Sequence, residues 1–184
     1  DANSVQMSYF SNYGPTDDGR IKPDITTKGV DVLSCVETSD TALLSQSGTS
    51  TATPVVTATL GLLQEHYFNT NGNYMKAATA KGLILHTADE AGTAPGPDYR
   101  FGWGLLNAEK AASTISNNQT SSLIQELELF QGETITYQVK AQGGSIPLIA
   151  SVSWTDPAGN PVTNFDVDDT TPALVNDLDV RITK

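Results

Sequence analysis

Ser47-Gly48-Thr49-Ser50-Thr51-Ala52-Thr53-Pro54 opens a run in which Ala52, Val55, Val56, Thr59, Leu60, Leu63 and Tyr67 recur at spacings of three and four. That spacing puts them on one broad face of a helix. Pro54 fits only near the start of such a helix, where a missing amide hydrogen costs little, so the helix begins close to Gly48-Thr49-Ser50. A serine placed there sits beside unpaired backbone amides and the positive end of the helix dipole, where an oxyanion would be stabilised. Glycine ahead of it lets a substrate backbone approach. Spacing alone leaves two readings open, a nucleophilic serine at a helix mouth or an ordinary helix cap.

Outward from this run, a second helix is expected from about Tyr74 to Ala88, with Met75, Ala78, Gly82, Ile84 and Leu85 available for packing. A third starts at Asn107, a good N-cap, and ends by Ser113. After Ser113 the period changes to two. Leu127 and Leu129 interleave with Glu126 and Glu128, Ile135, Tyr137 and Val139 with Thr134, Thr136 and Gln138, and Val152 and Trp154 with Ser151 and Ser153. Gly132, Gly143-Gly144 and Pro157-Ala158-Gly159-Asn160 punctuate these runs as turns. The expectation is an α/β portion over residues 1–113, a polar linker over 114–122, and an all-β antiparallel unit with one buried face over 123–184.

Composition narrows the partners. The 184 residues carry a net charge of −11, and the 10 Lys and Arg residues are scattered rather than clustered. Nucleic acid and anionic membrane surfaces are therefore excluded as partners. No apolar run approaches the roughly 18 to 20 residues needed to span a bilayer. The lone Cys35 cannot form an internal disulfide, and in the apolar stretch Val32, Leu33, Val36 it reads as a small buried hydrophobe in preference to a reactive thiol. The opening Asp1-Ala2-Asn3-Ser4 carries no targeting signal, and the closing stretch stops on a strand-like alternation, so a piece of a longer protein is expected.

Four segments taken together resemble the subtilisin-like serine proteases, the subtilases: Phe10-Ser11-Asn12-Tyr13-Gly14-Pro15, Asp18-Gly19-Arg20-Ile21-Lys22-Pro23-Asp24-Ile25, the Ser47 to Pro54 run, and Tyr99-Arg100-Phe101-Gly102-Trp103-Gly104-Leu105-Leu106-Asn107-Ala108. The resemblance implies that residues 1–113 are the last third of an α/β catalytic domain and that Ser50 is its nucleophile. It also implies that the catalytic Asp, catalytic His and oxyanion Asn lie upstream and are absent from this chain. His66 is on the same expected helix as Ser50 but about 24 Å along it at 1.5 Å per residue, out of reach of the serine, and His86 is expected to be structural. The implied protein is a secreted or periplasmic endopeptidase acting on polypeptide substrates, with the N-terminal part of its own catalytic domain as partner. This chain alone would be inactive. Thr51 departs from the family pattern, which has Met there, as do Thr57 and Ala58 after the proline and Thr27-Lys28-Gly29 after Lys22-Pro23-Asp24.

Residues 123–184 resemble part of the jelly-roll or P-domain-like sandwich appended to some secreted subtilases, on Val152-Ser153-Trp154-Thr155-Asp156-Pro157 and Leu174-Val175-Asn176-Asp177-Leu178-Asp179. Asp156, Asp166, Asp168, Asp169, Asp177 and Asp179 offer hard oxygen ligands suited to a structural calcium, with Asp156, Asp177 and Asp179 the candidates retained; the competing reading is a solvated acidic loop. No cofactor is required for the chemistry. Lys22-Pro23-Asp24 and Phe101-Gly102-Trp103-Gly104 read as structural, through local ion pairing and tight turns. The alternative to a protease is a pseudoprotease or a β-sandwich interaction module without catalysis.

Overall fold

The computed structural model describes residues 4–141, 143–145, 147–160 and 168–183. Five elements follow in chain order: β1 (Val32–Cys35), β2 (Leu43–Gln46), α1 (Thr49–Asn71), α2 (Ala77–His86) and α3 (Ala108–Ser116). β1 and β2 form an antiparallel ribbon in which Val32 faces Gln46 and Cys35 faces Leu43. Cys35 is exposed, not buried as expected. Its neighbours Leu33 and Leu43 are also exposed, so an apolar surrounding in sequence does not become a core at this ribbon.

The core lies instead where the three helices meet. Leu63 and Tyr67 of α1, Met75 just before α2, Ala80, Leu83 and Ile84 of α2, and Ala111 and Ile115 of α3 form one buried cluster. The expected long helix is present and longer than its apolar face. It starts at Thr49 and runs to Asn71, where Gly72 takes a left-handed φ of 76° and its amide closes on the Phe68 carbonyl. Pro54 lies six residues into this helix. Having no amide, it leaves the Ser50 carbonyl without its ordinary partner four residues on.

α2 is shorter than the expected Tyr74 to Ala88. The Gln64 side chain accepts from the Met75 amide at 2.8 Å and donates to the Met75 carbonyl at 3.0 Å, holding that backbone out of a helix. α3 is capped as expected, Asn107 Oδ1 accepting from the Lys110 amide at 2.8 Å. It continues to Ser116 and so takes up the first residues assigned to the linker. Between α2 and α3 the chain folds back on the Lys22 to Thr26 stretch, with Trp103 donating to the Asp24 carbonyl and Leu106 to the Thr26 carbonyl, both bonds within 3.0 Å. Gly102, at φ 64°, backs directly onto the Pro23 and Asp24 carbonyls, which leave no room for a side chain.

Among the described residues from 123 onward there is no strand or helix. In the alternating segments Leu127, Ile135 and Val152 are exposed, and no covered face forms among the described residues. Period-two patterning fixes which residues share a face and leaves open what that face pairs with. The face itself is reversed at one point. Ser151 and Ser153, expected on the solvent side, are the residues turned toward α2: Ser151 Oγ bonds His86 Nδ1 at 2.8 Å and Ser153 Oγ donates to the Ala78 carbonyl at 2.7 Å. Glu126 Oε1 also reaches α2, accepting from the Lys76 amide at 2.7 Å and the Thr79 hydroxyl at 2.6 Å.

Candidate active site

Ser50 is the second residue of α1 and is exposed. Gly48, in the cap position, offers no side chain, and its carbonyl accepts from the Thr51 and Ala52 amides at 3.2 Å each. The Thr49 and Ser50 amides therefore have no partner among the described residues. The Ser50 hydroxyl stands on a first turn with these two unpaired donors and the positive end of a 23-residue helix. Such a first turn can stabilise an anion developing next to the Ser50 oxygen.

The turn is held from behind. The Gly48 amide donates to the Gly29 carbonyl at 2.8 Å, and Ser47 Oγ accepts from the Asp31 amide at 2.9 Å. Gly29 eases this approach: a Cβ there would stand 3.0 Å from the Gly48 oxygen and 3.2 Å from the Ala52 Cβ, tighter than ordinary contacts. At Gly48 the nearest atom to such a Cβ is 3.8 Å away, an ordinary contact. Attention to the glycine beside the serine missed the one that lets the loop reach it. Gly29 lies nineteen residues before Gly48 in the chain, and no local pattern links the two.

Neither histidine lies with Ser50. His66, near the far end of α1, bonds Ser116 Oγ through Nε2 at 2.8 Å. His86, at the end of α2, bonds Ser151, and burial holds its ring below the ordinary imidazole pKa. These are the chain's two histidines. The ring nitrogens named here thus serve the contacts between helices and the downstream segment.

The Lys22-Pro23-Asp24 stretch pairs locally as expected and beyond it. Asp24 Oδ2 receives Lys22 Nζ at 2.7 Å and also Lys81 Nζ of α2 at 3.4 Å. Burial raises the Asp24 carboxyl and the two lysines more than offset it, leaving the pKa low. Asp24 and Lys81 stand at one end of an apolar groove of about 550 Å³, walled by Ile25, Val56, Leu60 and Ile84.

The calcium candidates do not converge. Among the described residues no group of three or more His, Cys, Asp or Glu could hold a metal. Asp156 is committed to backbone, accepting from the Val175 amide at 2.7 Å and the Asn176 amide at 3.0 Å, with Asn176 Nδ2 at 2.9 Å, and these bonds lower its pKa. Asp177 and Asp179 are exposed. Asp169 accepts from the Thr171 amide at 2.9 Å, Asp168 sits at φ 67°, and Asp166 lies outside the described residues.

Comparison with known proteins matches this chain over residues 1–104 to the subtilase family, Peptidase_S8. The C5a peptidase of Streptococcus pyogenes is 47% identical over 119 residues, covering 61% of this chain and 10% of its own. The serine protease/ABC transporter B family protein tagA of Dictyostelium discoideum is 28% identical over an alignment covering 95% of this chain and 11% of its own. The CspB protease of Clostridium perfringens, a solved structure, aligns at 25% identity and a TM-score of 0.49 over 55% of this chain and 22% of its own. The chain thus spans about a tenth of the length of the curated relatives it matches. No helix among the described residues is long and apolar enough to cross a membrane.

Proposed function

The chain belongs to the subtilase family, and on that premise we propose that it is the nucleophile-bearing part of a secreted serine endopeptidase. Ser50 Oγ attacks the scissile carbonyl of a polypeptide, and its proton passes to a histidine supplied from outside this chain. The acyl-enzyme that forms as the amine departs is then hydrolysed by water. The Ser50 amide donates to the oxyanion, completed by an Asn that is likewise outside the chain. The observation that carries this reading is the exposed hydroxyl on a first helical turn whose Thr49 and Ser50 amides have no partner among the described residues.

Both histidines of the chain are engaged elsewhere, so in this reading the chain alone does not hydrolyse peptides. Residues 123–184 are read as part of a β-sandwich, supported by their alternation and by Asp156, which draws two alternating segments together at Val175 and Asn176. The chemistry needs no cofactor; calcium would act structurally, with Asp177 and Asp179 its remaining candidates. Extracellular placement is inferred from the family, and the acidic composition is compatible with it.

A fluorophosphonate probe tests the assignment, since the Ser50 oxygen forms a bond to phosphorus as fluoride leaves. The full-length protein that carries this chain is expected to label, and Ser50→Ala to abolish the label. Labelling that survives Ser50→Ala overturns the assignment, and a wild-type protein that never labels favours the pseudoprotease.

A further inference from the structure

We propose that Thr51 is a positioning residue for Ser50, its hydroxyl clamping the turn that presents the serine. The inference rests on the assignment of Ser50 as nucleophile and concerns a residue at which this chain departs from the family pattern. Thr51 Oγ1 lies 2.7 Å from the Gly48 oxygen and 3.2 Å from the Gly29 oxygen. The hydroxyl is the closest donor the Gly48 carbonyl has, since the two amides that also reach it are at 3.2 Å. The Gly29 carbonyl in turn receives the Gly48 amide at 2.8 Å. The single hydroxyl hydrogen is given chiefly to the Gly48 oxygen, the shorter contact, and shared in a three-centre bond with the Gly29 oxygen on the other side of the contact between the helix mouth and the Gly29 loop.

The Gly48 carbonyl and the Thr49 N–H belong to one planar peptide unit. Holding the oxygen therefore aims the amide beside Ser50. A methionine side chain has no hydrogen to donate and could not make this bridge. β-branching, which narrows the rotamers open to Thr51, keeps the hydroxyl directed back along the helix toward the Gly48 oxygen.

Two measurements on the full-length protein separate this role from the assignment of Ser50. The first is amide exchange at Gly48, whose bond to Gly29 the hydroxyl supports. Thr51→Val, which keeps the shape and loses the donor, is expected to speed that exchange about tenfold, and Thr51→Ser to restore it. The second is turnover and fluorophosphonate labelling: Thr51→Val is expected to lower kcat and the labelling rate about tenfold with KM within twofold, and Thr51→Ser to return both. Unchanged Gly48 exchange in Thr51→Val, or no recovery in Thr51→Ser, overturns the proposal. Slower labelling accompanied by an equal rise in KM also overturns it, since that would be a general loosening of the site. A wild-type protein that does not label refutes the assignment of Ser50, while Gly48 exchange still decides whether Thr51 clamps the turn. Should Thr51→Val fail to fold, Thr51→Ala is read against Thr51→Ser in the same two measurements.

Discussion

The Ser153 hydroxyl occupies the space that a Cβ on Gly82 would need. Ser153 then donates to the Ala78 carbonyl one helical turn back, so the downstream segment rests directly on the backbone of α2. Glycine in the middle of a helix is otherwise unfavourable by about 1 kcal/mol relative to alanine.

Gly82→Ala sets these two effects against each other. Relief of the glycine penalty is worth about 1 kcal/mol, whereas displacing Ser153 also strips its bond to Ala78 and costs about 1–3 kcal/mol. Net destabilisation in urea unfolding is expected, together with loss of the His86–Ser151 contact in the NMR spectrum of the ring. A Gly82→Ala protein more stable than wild type would show that the segment does not rest on α2.

Glu126 ties the N-terminal end of the same helix. Glu126→Ala removes the acceptor for the Lys76 amide and the Thr79 hydroxyl. A loss of about 1–2 kcal/mol is expected by chemical denaturation, and less in Glu126→Gln, which keeps one acceptor oxygen. Equal losses in the two variants would mean that the contact acts through charge alone.

His86 gives the α2 contact a pH dependence. Burial lowers its pKa below the ordinary 6.5, so the unfolded chain binds the proton more readily than the folded one. Its cost is absent above pH 6.5 and grows as pH falls below that value, until the folded ring is protonated as well. Thermal unfolding of wild type and His86→Gln should therefore show wild type losing more stability between pH 8 and pH 5. Parallel curves would contradict the burial of the ring.

Asp18 acts in the opposite sense and at lower pH. The Thr16 hydroxyl at 2.6 Å, then Arg20, hold its carboxyl down from 3.8 to about 2. Stability from this group is fully present above about pH 4 and is lost as pH falls toward 2. The difference in melting temperature between wild type and Asp18→Asn should shrink over that interval. A difference that is constant from pH 6 to pH 2 would show that Asp18 contributes nothing through its charge.

What could be read from the sequence was local. The apolar spacing from Ala52 to Tyr67 located α1, and Asn107 announced the start of α3, because a helix face and a cap depend on residues within a few positions of each other. Pro54 set Ser50 on the first turn of its helix for the same reason. Contacts between distant residues were not legible. Nothing near Gly82 foretells Ser153, nothing near Lys76 foretells Glu126, and nothing near Thr51 foretells its contact with Gly29. Cys35 is exposed despite its apolar neighbours for a similar reason, since burial depends on what covers a ribbon and not on the ribbon's own apolar content.

The contacts on α2 also order events in time. Ala78 and Ser153 are 75 residues apart in the chain, so at roughly 5–20 residues per second a ribosome needs about 4–15 s to deliver the second after the first. During that interval α2 is synthesised but lacks the segment that covers its Gly82 face. Over those seconds the nascent chain presents bare helix surface to whatever chaperone or neighbouring chain is at hand.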